Sequence, residues 1–372
     1  MIDPDKFSKI LNKQLKVTIG VPDSLLKYVC NSFEKRFKKK HIVSTNEGSA
    51  VSFAIGHFLS TKTPALVYMQ NSGLGNAVNP LTSLAHKNVY GIPMILMIGW
   101  RGELYKNKQI HDEPQHLVQG RITLQQLKLL KIPYKILNPS EEKLDSIING
   151  LKRKSLKIKG PVALIVRKNT FKKSNLNLKN NQKRYLFREK IINLILDNIP
   201  KKAIIISTTG LASRELYELR KKNNKNLCND FLTVGGMGHA SQIASGIAFS
   251  SKKKVVCIDG DGSLLMHLGN ILTSSKNKNL THILINNSVH DSVGGQTTNS
   301  NDINFSEIAM KLGYKSCKKI YKDSEIKKEL KSLSLKNKST FIEIKSRPGY
   351  RKNIGRPKET LAYRKKAFMK LF

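Results

Sequence analysis

The chain has 372 residues, enough for two domains that each bury a core of their own. Its 66 lysines and arginines outnumber 26 acidic residues, giving a formal charge of +40. The excess is mostly lysine, spread from "KRFKKK" through "KNNQKR" to "YRKK"; that spread reads as solvated faces, so nucleic acid is not expected as the main partner, although the charge would attract anionic substrates.

The first residues, "MIDPDKFSKI", have neither the basic start nor the apolar core of a signal peptide. Residues 1–170 then alternate strand-like runs ("KVTIGVP", "HIVST", "ALVYMQ", "PMILMIG", "PVALIVRK") with helical stretches such as "EGSAVSFAIGHFLS". The longest apolar run, "IPMILMIGW", falls far short of the ~20 residues of a membrane helix. Residues 171–186, beginning "FKKSNLNLKNNQKR", are polar and aperiodic and read as a linker. A second alternating half, 187–347, contains "AIIIST", "KVVCI", "THILI" and "TFIEI", and 348–372 form a basic tail ending in a short helix. The rhythm predicts an α/β protein of two domains, each a mainly parallel sheet flanked by helices. Cys30, Cys228, Cys257 and Cys317 are far apart and include no C-x-x-C. That argues against zinc and disulfides and for free thiols in a reducing cytoplasm.

The stretch "DGDGSLLMHLGNILTSSKNKNLTHILINN" carries the sharpest signal. Gly260 and Gly262 suit a tight turn, and Ser263 suits the N-cap of a helix marked by Leu264, Leu265, Leu268, Ile271 and Leu272. Such a strand–helix–strand unit lays its strands parallel and brings Asp261 and the asparagine pair to neighbouring carboxyl ends, where α/β sheets bind ligands. Two hard oxygen ligands beside a helix start suit Mg²⁺ carrying a diphosphate. The plainer alternative is a helix-capping aspartate and two turn-forming asparagines. Three more stretches stand out: Glu47 at a helix start, the polar loop "QNSGLGNAVNP", and the glycine-rich "VGGMGHASQIASG".

Taken together, "NEGSAV", "NSGLGN", "GMGHAS" and "GDG…NN" resemble the thiamine diphosphate-dependent 2-oxo acid decarboxylases. "GVPDSLL", "DEPQHLVQGRIT", "TTGLASRELYE", "NNSVHDSVGGQTT" and "GRPKET" resemble its compact branch, the phosphonopyruvate and sulfopyruvate decarboxylases, which lack the central third domain. The resemblance implies thiamine diphosphate and Mg²⁺ as cofactors, a small anionic 2-oxo acid as substrate, and a homo-oligomer with sites between subunits. It favours phosphonopyruvate, with sulfopyruvate or another short-chain 2-oxo acid as the alternative, and a catalytically silent polyanion binder as the rival of another class. It gives Glu47 the cofactor-activating role, Met237 the wedge between the cofactor rings, and Asp261, Asn287 and the backbone carbonyl of Val289 the metal. Asn71, Gly236, His239, Gly260, Gly262 and Ser263 fall in cofactor-contacting stretches; a serine is expected where Gly236 stands. Asp23, His116 and His290 are candidate proton donors, and Arg101, Arg121, Arg214 and Arg356 candidate partners of the phosphonate.

Overall fold

Uninterrupted apolar, β-branched runs suit strands covered on both faces. Six strands build the sheet in each half of the described chain, and inner ones such as "MILMIG" and "VVCI" are runs of this kind, while the edge strands are shorter and more polar. A computed structural model describes residues 1–105, 108–174, 184–222, 230–333 and 337–372, and the chain divides into two units, Met1–Asn177 and Leu178–Phe372.

Unit 1 runs α1 (Pro4–Gln14), β1 (Thr18–Gly20), α2 (Lys27–Phe37), β2 (His41–Val43), α3 (Glu47–Thr61), β3 (Leu66–Gln70), α4 (Leu74–Pro80) and β4 (Met94–Gly99). A small antiparallel pair, β5 (Leu104–Tyr105) and β6 (Lys108–Gln109), is followed by α5 (Pro114–Leu129), β7 (Tyr134–Leu137), α6 (Leu144–Ile158) and β8 (Pro161–Val166). The sheet order is β2-β1-β3-β4-β8-β7, with every ladder parallel. Alternate residues of a strand serve opposite faces. Tyr68, Ile95 and Leu164 pack with Phe7, Phe33 and Ile148, whereas Val67, Leu96 and Ile165 pack with Ala54, Leu81 and Leu127. Each fully buried aliphatic side chain contributes about 1.5–3 kcal/mol.

Unit 2 runs α7 (Arg188–Asn198), β9 (Ile204–Ser207), α8 (Leu211–Lys222), β10 (Asp230–Leu232), α9 (Ala240–Ser250), β11 (Val255–Gly260), α10 (Asp261–Met266), α11 (Asn270–Ser274) and β12 (Leu280–Asn286). It closes with α12 (Phe305–Lys311), β13 (Ser316–Ile320), α13 (Asp323–Ser332), β14 (Thr340–Lys345) and α14 (Leu361–Met369). Its parallel order, β10-β9-β11-β12-β14-β13, repeats that of unit 1 strand for strand, although the two sequences share no repeat. Asn71 after β3 therefore matches Asp261 after β11 in topological place, and Glu47 after β2 matches the glycine-rich loop after β10.

Three local features differ from the sequence expectation. The helix whose N-cap is expected at Ser263 is instead preceded by Gly260 as N-cap, begins at Asp261, and stops at Met266 before resuming at Asn270. The break is pinned by Asn270, whose Nδ2 donates to the Gly238 carbonyl at 3.1 Å. Phe171, the first residue of the expected linker, is buried against Phe7 with ring centroids 5.2 Å apart; residues 175–183 of that segment lie outside the described residues. The tail is docked: Phe368 of α14 packs edge-on against Phe231 at 5.6 Å. Among the described residues no helix is long and apolar enough to cross a membrane.

Candidate active site

In unit 1, Asn46 caps α3 by accepting the Gly48 N–H at 2.7 Å. This sets Glu47 at the first helical position with its carboxyl buried. Asn76 Nδ2 donates to Glu47 Oε2 at 2.8 Å, and Gly73 faces the same carboxyl. The "NEGSAV" and "NSGLGN" stretches therefore meet at one acid. Burial raises the Glu47 pKa, and the Asn76 bond offsets only part of the rise.

Asn71 spends its amide inside unit 1. Its Nδ2 donates to the Arg101 carbonyl at 3.0 Å and to Thr123 Oγ1 at 2.9 Å, and its Oδ1 accepts the Arg101 N–H at 3.3 Å. It thereby positions the turn after β4. Arg101 forks onto Asp112 at 2.8 and 2.5 Å and donates to Ser24 Oγ at 2.8 Å. Burial works to raise the Asp112 pKa, but the bonds from Arg101 hold it well below the usual carboxylate range. Asp23 sits beside this pair, 1% exposed, its pKa pushed up to about 6 by burial against the opposing charge of Arg101. His116, half-buried in the first turn of α5, also favours the ionised form of Asp112. Asp23, Arg101 and His116 thus belong to one cluster, while Arg121 is exposed and donates to Gln109 at 2.7 Å.

In unit 2, β11 and β12 are parallel neighbours with Gly260 opposite Ile285, so Asp261 and Asn287 emerge from adjacent strand ends. Asp261 is buried, and its Oδ2 accepts from Ser300 Oγ at 2.8 Å and from Thr298 Oγ1. Burial raises its pKa despite those hydroxyls and the Asn287 N–H. The paired asparagines divide the work. Asn286 Nδ2 donates to Glu343 Oε1 at 3.0 Å and ties β12 to β14, while its Oδ1 accepts from the Ser288 N–H and Ser300 Oγ. Asn287 Nδ2 donates to Asp291 Oδ2 at 2.7 Å. Asp291 is held by Arg188 Nη1 at 3.1 Å, and Arg188 forks onto Glu215 at 2.7 and 2.9 Å. Among the described residues the Asn287 Oδ1 accepts one bond, from the Val289 N–H at 3.1 Å, and keeps a second lone pair. An oriented carboxylate and amide carbonyl at one sheet end are a fitting start for an octahedral Mg²⁺ shell completed by phosphate oxygens. Val289 is bridged to Thr297, which holds it in the returning loop.

Ser263 Oγ accepts from Thr208 Oγ1 at 2.9 Å and from the Gly238 N–H at 3.1 Å, leaving its own hydrogen to donate. Gly235, Gly236 and Gly238 have φ of 66°, 52° and 88°. A serine at 236 would hold left-handed backbone at a cost of about 1–2 kcal/mol, which glycine avoids. Met237 is half-buried, and the exposed His239 has its ring 4.7 Å from that of His267. The His290 ring lies over Gly262, where a Cβ would come within 2.6 Å of Cε1. Burial lowers the His290 pKa to about 4, so the ring is neutral at pH 7. Gly260 differs from its neighbour: its φ is −114° and a Cβ there meets no atom within 4 Å. Only the second glycine of the turn is demanded by packing. Arg214 is half-buried on α8, and Arg356 is exposed.

Asn76, Thr298, Ser300, Asp291 and Arg188 escaped the sequence reading. The hydroxyl-rich "GGQTTNS" that follows the asparagine pair was the available sign of two of them. Cys30, Cys257 and Cys317 are free thiols, and Cys228 lies outside the described residues. Cys257, Asp259 and His282 have donor atoms within 4.8 Å of one another in the sheet core. Burial pushes that thiol pKa up, away from the thiolate a metal needs, and His282 Nε2 lies 3.4 Å from Asp259 Oδ2.

Two family models match the chain. The N-terminal thiamine pyrophosphate (TPP) binding domain of thiamine pyrophosphate enzymes matches residues 5–127, and the C-terminal TPP binding domain matches residues 208–344. The chain is 31% identical to a phosphonopyruvate decarboxylase of Streptomyces viridochromogenes, over 92% of this chain and 88% of that one. It is 36% identical to the sulfopyruvate decarboxylase subunit beta of Methanocaldococcus jannaschii, over 48% of this chain and 95% of that one. It is 31% identical to the alpha subunit from the same organism, over 43% and 89%.

Proposed function

The chain belongs to the thiamine pyrophosphate enzymes, in the branch of the phosphonopyruvate decarboxylases, and on that footing we propose that it converts 3-phosphonopyruvate to phosphonoacetaldehyde and CO₂, a carboxy-lyase step of phosphonate biosynthesis. The geometric observation behind this reading is the pairing of Asp261 and Asn287 at adjacent parallel strand ends, each with its oxygens oriented by buried partners. The choice of substrate rests on near end-to-end similarity to the Streptomyces decarboxylase.

In this proposal Asp261, Asn287 and the Val289 carbonyl hold Mg²⁺, and Ser263 donates its remaining hydrogen to the diphosphate. The glycine loop with Gly236, Met237 and His239, and the turn of Gly260 and Gly262, let backbone approach the cofactor. When bound, thiamine diphosphate supplies the electron sink that decarboxylation of a 2-oxo acid requires. Glu47, desolvated and steadied by Asn76, holds or releases a proton at the cofactor's pyrimidine nitrogen. Asn71 positions the Arg101 turn. Among the candidate proton donors, Asp23 is the one suited to carry a proton near neutrality, since its pKa is about 6. His290, with a pKa of about 4, instead serves as a neutral wall over Gly262. Glu47 and the metal ligands lie in different units, and sulfopyruvate decarboxylase relatives are named as alpha and beta subunits. The subunit names of those relatives support an assembly of more than one chain, which we take here to be a homo-oligomer with sites between subunits. The free thiols fit a cytoplasmic setting.

The test is a turnover assay with thiamine diphosphate and Mg²⁺, offering phosphonopyruvate, sulfopyruvate and pyruvate separately. Phosphonopyruvate is expected to exceed pyruvate at least about 100-fold in kcat/KM, equivalent to roughly 2.7 kcal/mol. Preference for sulfopyruvate would move the assignment to the sister activity. Turnover of none would leave a polyanion binder.

A further inference from the structure

Unit 2 holds a pocket of about 430 Å³ between the edge strand β10, the glycine-rich loop and the C-terminal helix, within the range of small-molecule sites. Asp230, Thr233, Gly236, His239, Arg364 and Lys365 are among its lining residues. Asp230 is forked by Arg220 at 2.8 and 2.9 Å, so it brings no uncompensated negative charge. Arg364 reaches the Glu359 carboxylate and the Asp230 carbonyl, each at 3.5 Å, and lies over the Tyr217 ring. Those contacts hold α14 against the unit. Lys365 has no carboxylate partner among the described residues. The Thr233 hydroxyl is buried with no hydrogen-bond partner among the described residues, a state that normally costs about 1–3 kcal/mol. An unpaired ammonium, an unspent hydroxyl and a backbone loop are the donor set of a small tetrahedral anion.

We propose that this pocket receives the phosphonate end of the substrate, with Lys365 as its cation and Thr233 as a neutral donor. The inference rests on the decarboxylase reading and deepens it. Gly236 and His239 line the pocket and also belong to the loop assigned to the cofactor, so an acid seated here keeps its 2-oxo end beside that loop. The four arginines suggested by the sequence are not needed for this role: Arg101 is committed to Asp112, and none of the four lines the pocket. Lys365 went unnoticed because "YRKK" looks like an ordinary solvated run.

The experiment is a calorimetric titration of the full chain, loaded with thiamine diphosphate and Mg²⁺, with 3-phosphonopropionate as an inert phosphonate. Lys365→Ala is expected to weaken binding at least tenfold, Lys365→Arg to recover most of the loss, and Lys366→Ala on the same helix to bind as wild type. The kcat/KM ratio of phosphonopyruvate to pyruvate should fall at least tenfold in Lys365→Ala. Equal affinity of Lys365→Ala and wild type overturns the proposal. So does a tenfold loss of thiamine diphosphate affinity in Lys365→Ala, which would put the cation on the diphosphate. A wild-type chain that leaves phosphonopyruvate intact counts against the decarboxylase reading, while the titration still decides for the pocket.

Discussion

Replacing Asp23 by asparagine isolates what the burial of one carboxyl does to the fold. Asp23 is 1% exposed, and its pKa rises from 3.8 to about 6, with burial as the largest cause and Arg101 opposing it. An acid with a raised pKa binds its proton more tightly in the folded chain than in the unfolded one. Stability therefore falls as pH climbs from about 4 to about 6, and the full penalty applies above that window. The rise from 3.8 to about 6 corresponds to roughly 3 kcal/mol, at about 1.4 kcal/mol for each tenfold change in proton affinity. Asparagine keeps the shape and still offers an oxygen to the Leu25 N–H, now at 3.1 Å from Oδ2, but never ionises. The variant should therefore gain on wild type by little at pH 4 and by roughly 3 kcal/mol at pH 7. Urea unfolding of the cofactor-free protein at pH 4, 5, 6 and 7, compared by midpoint, measures this difference. A gap that stays constant with pH, or widens toward acid, would refute the reasoning.

Glu47→Gln should bind thiamine diphosphate with near wild-type affinity but exchange the bound cofactor's C2 proton at least about 100-fold more slowly; deuterium exchange followed by NMR reads this, and a wild-type rate reduces Glu47 to a helix-end residue. Asp261→Ala should abolish Mg²⁺-dependent cofactor binding by calorimetry. In the wild type, Mg²⁺ affinity should rise with pH, because burial raises the Asp261 pKa and the ion must displace a proton; a flat profile contradicts this. Gly262→Ala puts a Cβ 2.6 Å from His290 Cε1, and the loop displacement should cost about 1–3 kcal/mol. A thermal midpoint unchanged from wild type would mean the ring moves freely.

Both parallel sheets were legible because strands such as "PMILMIG" and "KVVCI" are apolar without interruption, which only a doubly covered strand tolerates. The strand–helix–strand spacing likewise brought Asp261 and Asn287 to neighbouring strand ends. Helix starts were harder. Ser263 has a good capping side chain, but its hydroxyl is engaged by Thr208 and Gly238, and the N-cap lies three residues earlier, at Gly260. The partners of the candidate site were hidden by distance along the chain. Arg188 reaches Asp291 across 103 residues and Ser300 reaches Asp261 across 39, separations that no local periodicity encodes. Glu47 and Asn76 were each visible as polar residues in suggestive stretches, yet their partnership depends on α3 and α4 packing side by side.

The loop after Asn287 closes on itself. His290 accepts the Gly295 N–H at 3.0 Å and donates to Gln296 at 2.8 Å, and the Thr298 N–H returns to Ser288 at 3.0 Å. Asn299 then turns through a left-handed φ of 60° before Ser300, and the hydroxyls on either side of that bend land on one carboxylate. Such a segment has a fixed count. Adding or deleting a single residue between 288 and 300 would strip a buried acid of its donors, whereas exchanging side chains at 292 or 293 would not. Descendants of this protein could therefore explore new chemistry here by substitution alone, and the length of this loop should be the slowest thing about it to change.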